Sequence, residues 1–151
     1  MTDVAEAFGK IAKTKSSFAS RGDDSGTHGK EKSLWQAAGV DQKSGSGAWY
    51  RETGSGMGAT LNAAVGMGAY ALSDRASWGA FANKGDFKIV VEGDKRLFNP
   101  YGVMLIDSSK CPSVKSEEGQ AFINWLISDR GQEAIASFKV NGKQLFFPSA
   151  N

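Results

Sequence analysis

Apolar residues recur at helical spacing in four stretches of the chain. Near the amino terminus, Val4, Phe8, Ile11 and Ala12 fall on one face of a helix, because positions three and four apart lie side by side on its surface. The last stretch carries the same spacing but is interrupted at residues 129–131, which favours two helices over one. The pattern predicts a first helix that begins at Val4. It predicts further helices over residues 26–38, 59–68 and 117–138, the last range being divided into two helices.

Short runs rich in β-branched and aromatic residues separate these helices. The run KIVVE, residues 88–92, has three consecutive β-branched apolar residues and lies between two glycine-containing turns, which is typical of a strand buried on both faces. The alternation of strands and helices predicts an α/β fold, a mixed and mostly parallel sheet flanked by helices. The predicted strands are residues 17–20, 48–53, 69–72, 88–92 and 103–106.

Composition narrows the classes of function. The chain has 151 residues, enough for one ordinary domain, and its net charge is only +2, so nothing favours nucleic acid as a partner. The opening MTDVAEAFGKIAK lacks the apolar core of a secretory signal, so no signal peptide is expected in this chain. Nineteen glycines, nearly twice the usual share of about 7%, indicate tight turns or close approach of the backbone to a ligand.

The first candidate site is the polar loop between residue 20 and the second predicted helix. The guanidinium of Arg21, the hydroxyls of Ser25 and Thr27 and the unpaired amides from Gly26 onward are all suited to an oxyanion. The simpler interpretation is that Asp24 or Ser25 caps the helix while Arg21 pairs with Asp23 on the surface. Both interpretations stay open from these residues alone.

The same loop holds no pattern for a metal or a catalytic triad. The acidic pair Asp23–Asp24 departs from the calcium-loop spacing beyond its first position. His28 is the only histidine of the chain, so neither a zinc site nor a histidine-based triad is expected. The tripeptide Arg21-Gly22-Asp23 matches an adhesion motif, but three residues recur by chance.

The second candidate site is the glycine cluster GSGMGA, residues 54–59, between a strand and a helix. With Asp74 twenty residues after Gly54, it fits a dinucleotide fingerprint, and an NAD-dependent oxidoreductase is therefore an alternative function. The physical content of the pattern is more general, because glycines at a helix start let backbone amides approach any anion. Glycines selected for close helix packing are a third explanation.

Long blocks of the chain resemble the tungstate-binding proteins of ABC transporters, which are type 2 periplasmic binding proteins. The resemblance implies a non-enzymatic protein without a cofactor that captures a tetrahedral oxyanion between two α/β lobes and delivers it to a membrane permease. It also implies a periplasmic location, or an extracellular one with a lipid anchor, for the full-length protein. The matching blocks are FASRGDDSGTHGKEKSLWQAAG, WYRETGSGMGATLNAA, GAYALSDRASW, VVEGDKRLFNPYGVMLID and FINWLISDRGQEAIASF.

The resemblance assigns roles to residues at the two candidate sites. Arg21 matches the arginine that the family uses on the anion, and the helix starts contribute their amides and hydroxyls. The carboxylates of Asp23, Asp24 and Asp74 are then expected to hold Arg21 or Arg75 and to cap helices without touching the anion. The expected ligands are Arg21, Ser25, Gly26, Thr27, Gly58, Ala59 and Thr60, supported by Asp24, Asp74 and Arg75.

Family members are longer at the amino terminus than this chain. The resemblance therefore implies that residues 1–107 form the second lobe, and that residues 108–151 are helices and a tail returning toward a first lobe that is otherwise missing. Losing about three charge-assisted hydrogen bonds of about 1.5 to 3 kcal/mol each weakens binding by roughly three to six orders of magnitude. We expect weak binding by the isolated chain unless a partner or a second copy, in a homodimer, completes the cleft. An interaction module without a ligand is a further alternative.

The residue types at the two candidate sites do not indicate which oxyanion is bound more tightly. Tungstate and molybdate are nearly equal in size and charge, so discrimination between them depends on cavity dimensions. The sequence therefore names tungstate and molybdate together as candidate ligands.

Overall fold

A computed structural model describes residues 2–150 of the chain. It divides into two compact units, the first ending at Phe98 and the second beginning at Asn99. None of the helices within residues 2–150 combines the length and the hydropathy needed to cross a membrane.

The first unit alternates helices with short strands, as the hydrophobic pattern predicts. Two short 3-10 helices, Gln42–Gly45 and Lys95–Leu97, lie in its connections. Its α-helices and strands are α1 Val4–Thr14, β1 Phe18–Ser20, α2 Gly26–Ala37, β2 Tyr50–Glu52, α3 Met57–Met67, β3 Tyr70–Ala71 and α4 Arg75–Ala80.

The three strands form one parallel sheet in the order β2-β1-β3. Phe18 at the start of β1 lies opposite Tyr50 on one side and Tyr70 on the other. Parallel neighbours require a crossover, and here α2 connects β1 to β2 while α3 connects β2 to β3. The carboxyl ends of all three strands therefore meet at one edge of the sheet, which confirms the predicted α/β class.

An aromatic cluster joins α1 and α2 to the sheet. The rings of Phe8 and Trp35 have centroids 4.4 Å apart, and Phe18 meets Trp35 at 5.1 Å in an edge-to-face arrangement. Trp35 is completely buried, and Val4 and Leu34 complete the same cluster. Burying each large apolar side chain contributes about 1.5–3 kcal/mol, so this cluster holds the helices that position the loops.

The second unit contains two helices and a hairpin. Helix α5 covers Ser116–Ile127 and α6 covers Asp129–Ser137, which confirms two helices but places the interruption at Ser128, one residue before the predicted residues 129–131. Ser128 causes it, because its hydroxyl accepts the Gly131 amide and caps α6. An antiparallel pair that the hydrophobic pattern did not predict follows α6. Strands β4 Lys139–Val140 and β5 Lys143–Gln144 are joined by a turn at Asn141 and Gly142, both with positive φ.

Two predicted strands are wrong. Residues 88–92 and 103–106 form no strand in the structure. A strand buried on both faces needs neighbouring strands to satisfy its backbone and layers to cover its side chains, and apolar composition supplies neither. Ile89 and Ile106 are accordingly 45% and 58% exposed.

Candidate functional site

The two predicted anion loops lie side by side at the carboxyl edge of the sheet. The first loop, residues 21–25, follows β1, and the second loop, residues 53–56, follows β2. The Ser55 amide donates to the Arg21 carbonyl at 3.2 Å, and the Thr53 amide donates to the Ser20 carbonyl at 2.9 Å. Thr53 also donates its hydroxyl to the Ser20 carbonyl at 3.0 Å. These bonds join two loops more than thirty residues apart in sequence.

The start of α2 offers unpaired amides beside the first loop. Ser25 caps the helix, its hydroxyl accepting the His28 amide at 3.3 Å while its carbonyl accepts the Gly29 amide at 2.8 Å. The amides of Gly26 and Thr27 have no hydrogen-bond partner within residues 2–150. They carry the positive end of the helix dipole, so this end favours a negative charge.

The start of α3 is similar but has no side-chain cap, because its N-cap residue is Gly56. The amides of Gly58 and Ala59 have no partner in the described part of the chain, and both residues are exposed. Because Gly56 and Gly58 have no side chains, the backbone donors at this helix start are open to a ligand. The helix therefore presents a second set of free donors, at the end of a loop that is hydrogen-bonded to the first loop.

Thr60 holds the second loop together. It is completely buried, its amide donates to the Gly56 carbonyl, and its hydroxyl lies 2.8 Å from the Thr53 hydroxyl and 3.2 Å from the Ser55 carbonyl. Both of its polar groups are thus engaged within the protein. The structure gives Thr60 a bracing position behind the loop.

Arg21 is oriented by the acid two residues later. Its Nε and Nη2 atoms lie 3.1 and 2.5 Å from one carboxylate oxygen of Asp23, and its side chain is 19% exposed. Hydrogen bonding from Ser25, followed by that from the Arg21 guanidinium, lowers the pKa of Asp23 to about 2. Asp23 occupies one side of the guanidinium, and the remaining N–H groups stay available as donors.

The other three supporting residues have partners away from Arg21. Asp24 pairs with Lys32 at 3.0 Å, and its amide donates to the ring of His28. Asp74 caps α4 by accepting the Ser77 amide at 2.7 Å. Arg75 pairs with Glu92 at 3.0 Å. Asp23, and neither Asp24 nor Asp74, is therefore the carboxylate that holds Arg21.

The structure contains both features of the simpler interpretation, a Ser25 cap and an Arg21–Asp23 pair, beside the free amides of the oxyanion interpretation. Thr53 is a site residue that sequence reasoning missed. The available signal was its position, a hydroxyl directly after a strand that ends at the candidate edge. Within residues 2–150, no three His, Cys, Asp or Glu side chains are grouped to hold a metal ion.

Comparison with known proteins relates this chain to a family. Residues 2–130 match the PBP superfamily domain. The chain is 37% identical over 150 residues to the tungstate-binding protein TupA of Peptoclostridium acidaminophilum, covering 98% of this chain and 51% of that protein. The chain spans about half the length of the curated relatives it matches.

Two solved structures share the fold. The tungstate-binding protein TupA from Desulfovibrio alaskensis matches with a TM-score of 0.76 and 42% identity, over 100% of this chain and 61% of that chain. The tungstate ABC transporter structure from Geobacter sulfurreducens matches with a TM-score of 0.79 and 40% identity, over 90% of this chain and 56% of the other. With this sheet, these loops and the superfamily match over residues 2–130, the chain belongs to the PBP superfamily.

Proposed function

We propose that this chain supplies one wall of a tetrahedral-oxyanion site in the substrate-binding component of an ABC uptake transporter, with tungstate or molybdate as ligand. The observation that carries the proposal is that the two loops leading into helix starts with free amides are hydrogen-bonded to each other at one sheet edge, with Arg21 in the first loop. Similarity to TupA proteins supports tungstate as the first anion to test.

The donor chemistry fits capture better than catalysis. A dianion removed from water is very costly unless hydrogen-bond donors surround it, and amides and a guanidinium supply those donors without changing their protonation state at neutral pH. Asp23 neutralises part of the arginine charge and orients its remaining donors. The predicted ligand groups are the Arg21 side chain, the Ser25 and Thr27 hydroxyls and the amides of residues 26–27 and 58–59, with Thr60 bracing the second loop.

The wall is one half of the site in this proposal. Residues 1–107 act as the second lobe and residues 108–151 as elements that return toward a first lobe, which supplies the remaining donors. The proposed partner is an ABC permease, in a periplasmic or lipid-anchored extracellular setting. A second copy of the chain is the alternative source of the missing donors.

The test is an NMR titration of the 151-residue chain, because chemical shifts detect binding in the millimolar range. Tungstate is expected to change the amide chemical shifts of Gly26, Thr27, Gly58 and Ala59 more than those of other residues. The same titration with molybdate, sulfate and phosphate gives the order of affinity for the four anions. Arg21→Ala should weaken binding at least ten-fold, because a charge-assisted bond contributes about 1.5–3 kcal/mol.

Arg51→Ala is the matched control. The Arg51 side chain donates to the Ala48 carbonyl, toward the amino end of β2 and away from the candidate edge, so its removal should leave the affinity unchanged. Equal losses for the two arginine variants, or anion-induced shifts that avoid both helix starts, contradict the assigned site. NADH added to the same sample tests the dinucleotide alternative, which predicts shifts at residues 54–59 with NADH in place of tungstate.

A further inference from the structure

Glu31 is a carboxyl group buried in the core of the first unit. It lies on α2 with 1% exposure, and among residues 2–150 no lysine, arginine or histidine forms an ion pair with it. Glutamate is almost never fully buried unless it is paired, so its retention inside an apolar cluster needs an explanation. Burial raises the pKa of Glu31 above its ordinary value.

One oxygen of Glu31 receives two hydrogen bonds. The Trp35 indole N–H donates to Oε1 at 3.1 Å, and the Tyr50 hydroxyl donates to the same atom at 2.7 Å. The Tyr50 oxygen also lies 3.0 Å from the Ser20 hydroxyl. Two branches therefore leave the carboxyl group, one ending at Trp35 and the other leading to the end of β1.

The Tyr50 branch reaches the first anion loop. The Gly22 amide donates to the Ser20 hydroxyl oxygen at 3.2 Å. Tyr50 Oη thus lies within hydrogen-bond distance of both the Glu31 carboxyl group and the Ser20 hydroxyl. Hydrogen bonds therefore connect Gly22, Ser20, Tyr50 and the carboxyl oxygen in that order.

We infer that Glu31 is a positioning residue for the anion site, acting through Tyr50 and Ser20 on the backbone that carries Arg21. Ser20 and Gly22 flank Arg21 on both sides, so a fixed Ser20 hydroxyl restricts the direction in which the arginine leaves β1. Buried hydrogen-bond chains whose members are all satisfied restrict local structure in this way. The effect on affinity rests on the proposed oxyanion function, whereas the effect on the Gly22 amide does not.

The two branches provide a matched pair of variants. Tyr50→Phe removes the donor that leads to Ser20, and Trp35→Phe removes the other donor to the same oxygen while leaving the Ser20 branch intact. Both variants disturb the buried carboxyl group and both should lower stability. Tyr50→Phe alone should speed hydrogen exchange of the Gly22 amide, by about five-fold or more, and weaken tungstate binding to a similar extent, as expected for one lost hydrogen bond.

Glu31 itself is tested by a conservative and a disruptive substitution. Glu31→Gln keeps an acceptor oxygen for Tyr50, so Gly22 exchange and tungstate affinity should stay within about two-fold of the parent protein. Glu31→Leu removes the acceptor and should reproduce the Tyr50→Phe effect. Ser20→Ala breaks the chain at its last link without altering the aromatic cluster, and it serves where a core variant fails to fold.

Three results overturn the inference: equal Gly22 exchange in Tyr50→Phe and Trp35→Phe, unchanged exchange in Ser20→Ala, or affinity losses that follow thermal stability across all the variants. Absence of any tungstate-induced shift in the parent chain is a different result, which defeats the proposed function. The Gly22 exchange rates still decide the positioning role in that case.

Discussion

Gly22 gives the sharpest quantitative test of the link between the two anion loops. Its φ is +59°, and a Cβ added there would lie 2.8 Å from the Cβ and 3.4 Å from the Cα of Glu52 on the neighbouring strand. Gly39 has φ +68° with no atom within 4 Å of the added Cβ. Gly22→Ala therefore combines a backbone cost with a collision, and Gly39→Ala isolates the backbone cost.

The expected magnitudes follow from these two terms. A left-handed conformation costs a residue with a Cβ about 1–2 kcal/mol, and loss of glycine freedom in the unfolded chain returns about 0.4–1 kcal/mol. Gly39→Ala should thus lower the free energy of unfolding by about 1 kcal/mol. The contact with Glu52 adds about 1–3 kcal/mol of overpacking, because Cβ and Cα move only with the β2 backbone. Gly22→Ala should lose about 2–4 kcal/mol.

The assay is urea unfolding followed by tryptophan fluorescence, with tungstate titration of each variant by NMR. Gly22→Ala should also weaken tungstate binding, because the collision separates the loop bearing Arg21 from the strand leading to α3. Gly39→Ala should leave the affinity unchanged. Equal losses of stability at the two positions would refute the steric argument, and an unchanged affinity in Gly22→Ala would refute the coupling of the loops.

Three further predictions concern the interior of the first unit. Burial raises the pKa of Glu31 in the folded chain above its unfolded value, so the stabilising contribution of this carboxyl group is complete below the unfolded pKa and is lost as the pH rises through the folded pKa. Glu31→Gln lacks the titrating group. Its melting temperature in circular dichroism scans, relative to that of the parent chain, should therefore increase from pH 4 to pH 8. Thr60→Val should lower the free energy of unfolding in urea by about 1–3 kcal/mol, since it leaves the hydroxyl of Thr53 with one partner fewer, whereas Thr60→Ser should lose less. Phe8→Ala should lower the free energy of unfolding in the same assay by about 3–5 kcal/mol, because it leaves a cavity against Phe18 and Trp35. Met104 is 83% exposed, so a similar loss for Met104→Ala would contradict the cavity explanation.

Local patterns were sufficient for every helix except α4, which was not predicted, and for the sheet that carries the site. Helix α1 follows from apolar residues at helical spacing, and α2 ends one residue before its predicted limit. The Asn141-Gly142 turn shows that a local signal was present and overlooked, since this dipeptide is a strong hairpin signal. Residues 88–92 show the opposite case, in which a strong apolar pattern forms no strand because pairing depends on a neighbour.

By itself, the sequence determined that α2 starts at Gly26 and, to within two residues, that α3 starts at Met57. It also determined that the amides at both starts are unpaired and that an arginine lies in the loop before α2, because all of these are consequences of contacts a few residues apart. Only the tertiary structure decided which side chains are already engaged: Asp23 with Arg21, Lys32 with Asp24, and Thr60 with Thr53. It also decided that the two loops meet, through bonds between residues 32 to 34 positions apart, and that Glu31 lies behind one of them. Hydrogen bonds and burial depend on distances in space, and parallel strands bring together chain segments that the order of residues keeps apart.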